Sequence, residues 1–204
     1  MGDGSLIGVD RAERARFQLR AGDSVNTHVL LLRGVNVGGH NKIPMADLRK
    51  LLSEKGHQEV RSYVQSGNVV LRSPVPGPEV AAGVRELLAK EFGLDIVVIV
   101  RSGPELAEVA AHNPFLRPDA DPARQLLVAF LERSPDPDRA GSLDPHRTPP
   151  DELHLRGREI YLWCPDGIGH SKVLNGLERL LGTPATVRNW RTVGELLRLT
   201  GQAT

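Results

Sequence analysis

The segment from Leu31 to Leu48 joins a short apolar run to an amphipathic stretch through three glycines. The run from His28 to Arg33 is apolar and stops at Gly34, which is typical of a buried strand. Pro44 suits the first position of a helix, where a backbone N–H is not needed, and apolar residues at helical spacing continue to Glu54. The sequence therefore predicts a strand, a tight glycine loop and a helix in immediate succession.

Two short strands, a helix and a further strand are predicted next. The strand predictions for Val60 to Val64 and Asn68 to Leu71 rest on short apolar runs separated by a Ser-Gly turn. A helix is predicted from Glu79 to Phe92, and the β-branched run from Ile96 to Val100 predicts another strand. The order βαββαβ favours an α+β fold of the ferredoxin-like (α/β plait) type, with one antiparallel sheet and two helices on one face.

The second half of the chain repeats this order without a repeat at the level of residues. It predicts a second plait-like βαββαβ unit followed by a C-terminal helix, whereas one continuous larger sheet is the alternative. The predicted segments are a strand from Gln125 to Leu131, a weakly helical stretch from Asp136 to Gly141, a hairpin of Glu152 to Arg156 and Glu159 to Trp163, a helix from Ser171 to Leu181, an extended piece from Ala185 to Arg188 and a helix from Trp190 to Leu199.

Composition divides the chain into four parts. Residues 1–27 are rich in Gly, Asp and Arg, and charges interrupt their apolar pattern, so we expect a poorly ordered N-terminal extension. A basic arm made by four arginines is the alternative. Residues 28–101 are predicted to form the ferredoxin-like subdomain, residues 102–124 a connector and residues 125–204 a second α+β subdomain.

The overall composition excludes several classes of protein. The 204 residues are 40% hydrophobic and 25% charged, with a net charge of +1, so the strong basic excess of many nucleic-acid-binding proteins is absent. A single cysteine, Cys164, excludes an internal disulfide and a thiolate zinc site. No group of side chains has metal-ligand spacing, so we expect no metal and no cofactor. No apolar run approaches the ~18–20 residues of a membrane span, which favours a cytoplasmic protein.

The first polar cluster is predicted where the glycine loop meets the hairpin tip. In a plait the first two strands run the same way, so side chains roughly thirty positions apart become neighbours at one rim of the sheet. The glycines could equally serve tight turns, and Arg33 could pair with a carboxylate rather than a ligand. The candidate residues at this rim are Arg33, Asn36, Gly38, Gly39, His40, Asn41, Lys42, Gln65, Ser66 and Asn68.

A second polar cluster is predicted at the opposite rim, around the glycine loop before the helix that is expected to start at Ser171. Exposed N–H groups at a helix N-terminus attract anions, so the loop predicts an anion seat, although its spacing is neither that of a Walker loop nor that of a dinucleotide fingerprint. The structural alternative is that Asn189 caps the last helix and Trp190 packs beside it. The candidate residues are Asp166, Gly167, Gly169, His170, Ser171, Lys172, Arg188, Asn189 and Trp190.

The sequence assigns no catalytic residue. His40 and His170 lie in the two glycine loops, and either could act as an acid or base near neutral pH. Neither has a sequence neighbour that would orient it, and exposed loop histidines are the simpler interpretation. Cys164 ends an apolar strand before a proline, which favours a small buried hydrophobic side chain over a nucleophile.

Five motifs in order resemble the DUF1697 family, whose function is unknown: LLRGVNVGGHNKIPMADLRKLL, VRSYVQSGNVVLRS, NPF, YLWCPDGIGHSK and TVRNWRTV. The resemblance extends from His28 to Leu199. It implies a plait-like α/β architecture, and it implies no activity and no catalytic residue.

Three classes of function follow from these observations. The first is binding of a phosphorylated small molecule or nucleotide by glycine-loop amides, with Arg33, Lys42 or Lys172 supplying charge. The second is RNA binding on a sheet face, although only 4% of the residues are aromatic. The third is an enzyme that acts on a phosphate or carboxylate substrate through His40 or His170.

Overall fold

The computed structural model describes residues 25–118 and 121–202. Over these residues the chain is a mixed α+β protein with two four-stranded antiparallel sheets. The predicted α+β class is confirmed, and the alternative of one continuous larger sheet is wrong. Most of the extension predicted for residues 1–27 lies outside the described residues, and the first strand already begins at Asn26.

Sheet 1 comes from the first half of the chain and has the strand order β2-β3-β1-β4. The central strand β1 is buried on both faces, which explains why its sequence is a continuous apolar run. Leu30 and Leu32 pack against the two helices, while Val29 and Leu31 face the second sheet. The elements are β1 (Asn26–Leu32), α1 (Met45–Glu54), β2 (Gln58–Tyr63), β3 (Asn68–Ser73), α2 (Gly77–Phe92) and β4 (Val98–Ser102).

The predicted connector contains two helices that are not among the predicted elements. Helix α3 (Gly103–Ala111) begins with a capping box, in which Ser102 accepts from the N–H of Glu105 and the Glu105 side chain accepts from the N–H of Ser102. Helix α4 (Pro122–Gln125) is a single turn that leads into the second sheet. The connector is therefore a structured part of the fold over its described residues.

Sheet 2 comes from the second half and has the strand order β6-β7-β5-β8. Its β6-β7 hairpin has the bounds that the sequence predicts. The elements are β5 (Leu126–Leu131), α5 (Pro137–Gly141), β6 (Glu152–Arg156), β7 (Glu159–Trp163), α6 (Leu177–Leu181), β8 (Ala185–Asn189) and α7 (Trp190–Thr200).

The helix predicted from Ser171 to Leu181 is wrong over its first six residues, because α6 begins only at Leu177. The Ser171 hydroxyl accepts a hydrogen bond from the N–H of Val173, an arrangement that competes with helical bonding. Gly176 then takes a left-handed conformation (φ 70°) immediately before the helix. The segment between the second glycine loop and α6 is consequently a series of turns.

The two sheets share one central core. Val29, Leu31 and Ile99 of sheet 1 are buried in the same cluster as Val128 and Phe130 of sheet 2. Helices α3 and α7 contribute apolar side chains to this cluster, whereas separate cores lie under α1 and α2 and under α6. Each sheet therefore has both faces covered. Within the two described ranges, no helix is long and apolar enough to cross a membrane.

Candidate functional site

Arg188 of β8 is buried between the two halves of the protein and is bound entirely by protein acceptors. Burial lowers the pKa of its guanidinium to about 10. A guanidinium has five N–H donors, and all three nitrogens of Arg188 donate to protein oxygens. These acceptors are Asn68 Oδ1 at 2.5 Å, Thr186 Oγ1 at 2.7 Å and the carbonyl oxygens of Val187 at 2.8 Å, Leu32 at 3.0 Å and Ser66 at 3.3 Å. Arg188 is therefore a structural bridge and has no donor left for a ligand.

The prediction that the two polar clusters occupy opposite rims is wrong for Arg188. Its side chain reaches the hairpin tip of the first half, where it contacts Asn68 and Ser66. The reason is the face-to-face packing of the sheets, which brings β8 to the junction of β1 and the β2-β3 turn. Predicting each half separately could not show this contact.

Arg33, at the end of β1, also joins the two halves. Its Nε and Nη2 donate to the two carboxylate oxygens of Glu178 at 2.9 and 2.8 Å, and Nε also approaches the carbonyl oxygen of Ala185 at 3.2 Å. This bidentate pair is partly exposed, with the arginine side chain 45% accessible. The carboxylate-pairing alternative for Arg33 agrees with this geometry.

Asn36 fixes the first glycine loop against the hairpin tip. Its Nδ2 donates to the carbonyl oxygens of Ile43 and Gln65, at 2.9 and 2.6 Å, and its Oδ1 accepts from the N–H of Ile43 at 2.8 Å. At the tip itself, Asn68 Nδ2 donates to Ser66 Oγ at 2.9 Å. The glycine loop and the hairpin tip therefore lie next to each other, as predicted. Their polar side chains mainly form hydrogen bonds with backbone groups. The exposed members of this rim are Arg33, Gly38, Gly39, His40, Lys42 and Gln65.

The second glycine loop has no helix N-terminus directly behind it, so the structural reason for predicting an anion seat there is absent, and anion binding by the loop stays a prediction. Gly167 leads into a short 3-10 turn, Ile168–His170, instead of an α-helix. The N–H groups of Gly167, His170 and Ser171 already donate to carbonyl oxygens within the same loop. These three N–H groups are consequently not available to an anion.

A small pocket of about 250 Å³ does lie at this loop, between residues 148–151 and 166–172. Ser171 Oγ donates to Asp151 Oδ2 at 2.7 Å, and Asp151 is largely buried. His170 and Lys172 line the pocket and are exposed, as is Gly169 in the same loop. The pocket thus combines one buried carboxylate with two exposed basic or titratable side chains.

Cys164 lies close to this pocket but is fully buried. Burial, and next the nearby negative charge of Asp151, raise the pKa of its thiol to about 11. A thiol that is buried and protonated at neutral pH is a poor nucleophile. The interpretation of Cys164 as a small hydrophobic side chain agrees with both observations.

Asn189 and Trp190 have the structural roles that were the alternative to ligand binding, namely helix capping and packing. Asn189 is the N-cap of α7, and its Oδ1 accepts from the N–H of Thr192 at 2.9 Å. Trp190 is half-buried and packs against the central core. Both residues therefore have positions in the fold that explain their side chains without a ligand.

A larger pocket, which the sequence analysis did not single out, lies beside α5 and α6. Its volume is about 630 Å³, and we call it the arginine pocket because three arginines line it together with one aspartate. The three arginines come from separate segments that show no regular sequence pattern. Only their proximity in the folded protein identifies them as members of one pocket. The lining residues are Asp138, Arg139, Ser142, Arg147, Asn175, Gly176, Arg179 and Leu180.

Two of these arginines are held in place by backbone carbonyls. Arg139 Nη1 donates to the carbonyl oxygens of Arg179 at 3.2 Å and Leu180 at 3.1 Å, and Arg147 Nη2 donates to Asn175 at 2.7 Å. Arg147 Nη1 is shielded from solvent and has no hydrogen-bond acceptor among the described residues. The side chain of Arg179 is exposed at the same pocket.

The described residues contain no group of three His, Cys, Asp or Glu side chains that could hold a metal ion.

Comparison with known proteins agrees with the fold. The conserved bacterial protein SP0830 from Streptococcus pneumoniae has a similar structure, with a TM-score of 0.69 and 21% sequence identity, over 87% of this chain and 99% of that chain. At this identity the likeness concerns the fold alone. No curated protein shows a significant match to the sequence.

A family profile described as "Protein of unknown function (DUF1697)" matches residues 25–161, about two thirds of the chain. The matched part includes the first glycine loop and the QSGN hairpin tip; the motifs after residue 161 lie beyond it, so their resemblance stays a prediction. The predicted relationship is confirmed over the matched residues, and the chain belongs to the DUF1697 family.

Proposed function

We propose that the protein binds a phosphate-bearing small molecule in the arginine pocket. The observation that carries this proposal is the convergence of three arginines on one pocket; one of them, Arg147, has an Nη1 without an acceptor among the described residues. A buried guanidinium N–H without an acceptor is costly, and a phosphate oxygen is the acceptor that suits it best.

The charge of the pocket supports an anionic ligand. Three arginines face one aspartate among its lining residues. Arg139 also pairs with Asp136 at 3.1 Å, and its bonds to α6 fix its position. Arg179, whose side chain reaches solvent, is the arginine best placed to move onto a ligand. Arginine provides paired donors that match two oxygens of one phosphate group.

The size of the pocket suits a small molecule. Its volume of about 630 Å³ falls within the usual range for small-molecule sites. A sugar phosphate or a nucleotide has the required size and charge. This proposal keeps the predicted class of ligand but places it on arginine side chains instead of glycine-loop amides, because no α-helix N-terminus lies directly behind the second loop.

For the fold, we propose that each half is a ferredoxin-like plait. The order β4-β1-β3-β2 in sheet 1 and the corresponding order β8-β5-β7-β6 in sheet 2, all antiparallel, support this topology. The division into residues 28–101 and 125–204, with residues 102–124 as the connector, belongs to the same proposal.

RNA binding on a sheet face receives less support. Plait proteins that bind RNA use an exposed sheet face on which bases stack. Here Val29 and Leu31 of sheet 1 and Val128 and Phe130 of sheet 2 are all inaccessible to solvent. The enzymatic alternative also receives less support, because neither His40 nor His170 has a side-chain hydrogen bond within the described residues that would orient its ring.

Calorimetric titration with defined phosphate compounds tests the proposal. We expect AMP and ribose 5-phosphate to bind, and adenosine and ribose, which lack the phosphate, to bind at least tenfold more weakly, because hydrogen bonds to charged groups contribute about 1.5–3 kcal/mol. Inorganic phosphate serves as the smallest probe. Absence of binding by all three phosphate probes at millimolar concentration would refute the proposal.

Two matched variants locate the binding site. Arg179→Gln removes the exposed arginine of the pocket, while Arg191→Gln removes an exposed arginine on α7 that does not line it. We expect the first variant to weaken the binding of AMP about tenfold and the second to leave it unchanged. Equal weakening in both variants would indicate general attraction of anions to the surface and would contradict the assigned pocket.

A further inference from the structure

A second cavity, of about 560 Å³, lies between the first turns of α2, the edge strand β4 and the start of α3. The proposed phosphate site does not use it. Its walls are mainly apolar and include Gly77, Ala81 and Val100. The charged side chains at its margin are largely paired: Arg158 donates to Glu105 at 2.5 Å, and Arg85 to Asp95 at 2.8 Å.

His28 of β1 contributes a buried acceptor to this cavity. It lines the cavity and is only 4% exposed. Its Nε2 lies 3.0 Å from the carbonyl oxygen of Val75; since a carbonyl can only accept, Nε2 carries the hydrogen and Nδ1 is left as an acceptor. This Nδ1 is shielded from water and has no partner among the described residues. Burial, the largest influence, lowers the pKa of His28 and keeps the ring neutral.

A side chain at position 77 would approach this acceptor. A Cβ built on Gly77 would lie 3.6 Å from His28 Nδ1 and 3.2 Å from Val100 Cγ1. The backbone of Gly77 therefore passes close to the unpartnered nitrogen, and a side chain at this position would press against Val100.

The outer edge of β4 supplies further unpaired polar groups. The N–H of Arg33 donates to the carbonyl of Val97 at 3.0 Å, so in an antiparallel ladder alternate residues from Val97 onward face β1. Val98 and Val100 consequently direct their backbone N–H and C=O groups away from the sheet. Both residues line the cavity, and only the carbonyl of Val100 has a partner in the described structure, namely Arg101.

We infer that this cavity binds a compact, largely apolar and uncharged molecule that presents an N–H donor to His28 Nδ1. The apolar walls provide the contact area, and the buried acceptor selects molecules with a donor, because an apolar molecule of the same shape would leave Nδ1 unpaired. The edge of β4 offers additional hydrogen bonds to a polar substituent.

Two probes of the same shape test the donor requirement. Indole carries an N–H, whereas benzofuran has an oxygen in its place. We expect indole to bind about fivefold more tightly than benzofuran, as one net hydrogen bond implies. The measurement is a titration followed by amide NMR signals, with the largest shifts expected at Val98 and Val100, together with the ¹⁵N shift of His28 Nδ1. Equal affinity for the two probes, or no binding at millimolar concentration, would overturn the inference.

Three variants on one helix locate the site. Ala81→Phe fills the cavity, and Ala82→Trp obstructs it from an exposed position that does not threaten folding. Ala89→Phe, on an exposed position of the same helix outside the cavity lining, is the control. We expect the first two variants to weaken the binding of indole at least tenfold and the control to leave it unchanged. Indole binding that survives both obstructing variants would place the site elsewhere and refute the inference.

Discussion

Arg188 Nε donates to Asn68 Oδ1 at 2.5 Å, and this bond joins the last strand of the protein to the first residue of β3, 120 positions earlier. The cation has no carboxylate partner in this network, since its acceptors are an amide, a hydroxyl and backbone carbonyls. Its charge is stabilised by dipoles alone. At Arg188 the contact between the two halves therefore depends on hydrogen-bond geometry, whereas Arg33 and Glu178 join them by an ion pair.

Replacing Arg188 should destabilise the whole protein. Arg188→Met keeps much of the volume but leaves Asn68 and several buried carbonyls without donors, so we expect a loss of about 2–4 kcal/mol in the free energy of unfolding. Urea denaturation measures this loss. Arg191→Met, on the exposed side of α7, is the control and should change stability by less than about 0.5 kcal/mol. A loss of that small size in Arg188→Met would contradict the bridging role.

Alanine variants at Gly67 and Gly39 should distinguish the cost of a steric clash from the cost of backbone strain. Both have positive φ, but a Cβ on Gly67 (φ +70°) would lie 2.9 Å from Leu32 Cβ, whereas one on Gly39 (φ +81°) would meet nothing within 4 Å. We expect Gly67→Ala to cost about 2–4 kcal/mol, and Gly39→Ala about 1 kcal/mol, by strain alone. Thermal and urea unfolding of both variants check the difference. Equal costs would show that the hairpin tip is not held as tightly as its contacts indicate.

Cys164 should resist alkylation and should make the protein sensitive to alkali. Its pKa is raised from 9.0 to about 11, so the folded state holds the proton longer than the unfolded state. The stabilisation that the protonated thiol provides is therefore fully present below pH 9 and is lost as the pH rises towards 11. The free energy of unfolding should be lower by roughly 2 kcal/mol at pH 10.5. Urea unfolding at pH 8 and pH 10.5 should show this loss in the native protein and a smaller one in Cys164→Ala. Rapid reaction of the folded protein with iodoacetamide at pH 8 would contradict the buried thiol.

His57 should make the protein sensitive to acid. Burial is the main cause that lowers its pKa from 6.5 to about 4, and the nearby His28 adds to the effect. Because the folded pKa is depressed, the stabilisation is present above pH 6.5 and is lost as the pH falls towards 4, by roughly 2 kcal/mol between pH 7 and pH 5. His57→Gln should flatten this pH dependence in urea unfolding. A pH dependence as steep in His57→Gln as in the native protein would contradict this assignment.

Local patterns predicted most of the secondary structure. The β6-β7 hairpin has its predicted bounds because apolar runs on either side of Gly157 leave little freedom of register. The prediction of a helix that starts at Ser171 is wrong for a local reason as well. The Ser171 side chain forms hydrogen bonds with Asp151 and with the N–H of Val173, and these compete with helix formation despite the helical spacing of the apolar residues that follow. Helix α3 was missed because its capping box lies in a segment that was interpreted as a connector.

The candidate sites were harder to predict, because they depend on how the two halves pack. The contact of Asn36 with the hairpin tip follows from plait topology and was predicted. The partners of Arg33 and Arg188 lie more than a hundred residues away, and nothing in the local sequence identifies them. The arginine pocket and the buried His28 arise in the same way, from segments that meet only in the folded protein.

The central core between the sheets has a consequence for how the chain can be divided. If the protein were cut within residues 103–124, each fragment would carry one sheet with an uncovered apolar face, including Leu31 in one fragment and Phe130 in the other. Such faces promote aggregation of the separated pieces. The two halves should therefore melt together in a single cooperative transition, and an experiment that expresses either half alone would yield insoluble protein unless the complementary fragment is made at the same time.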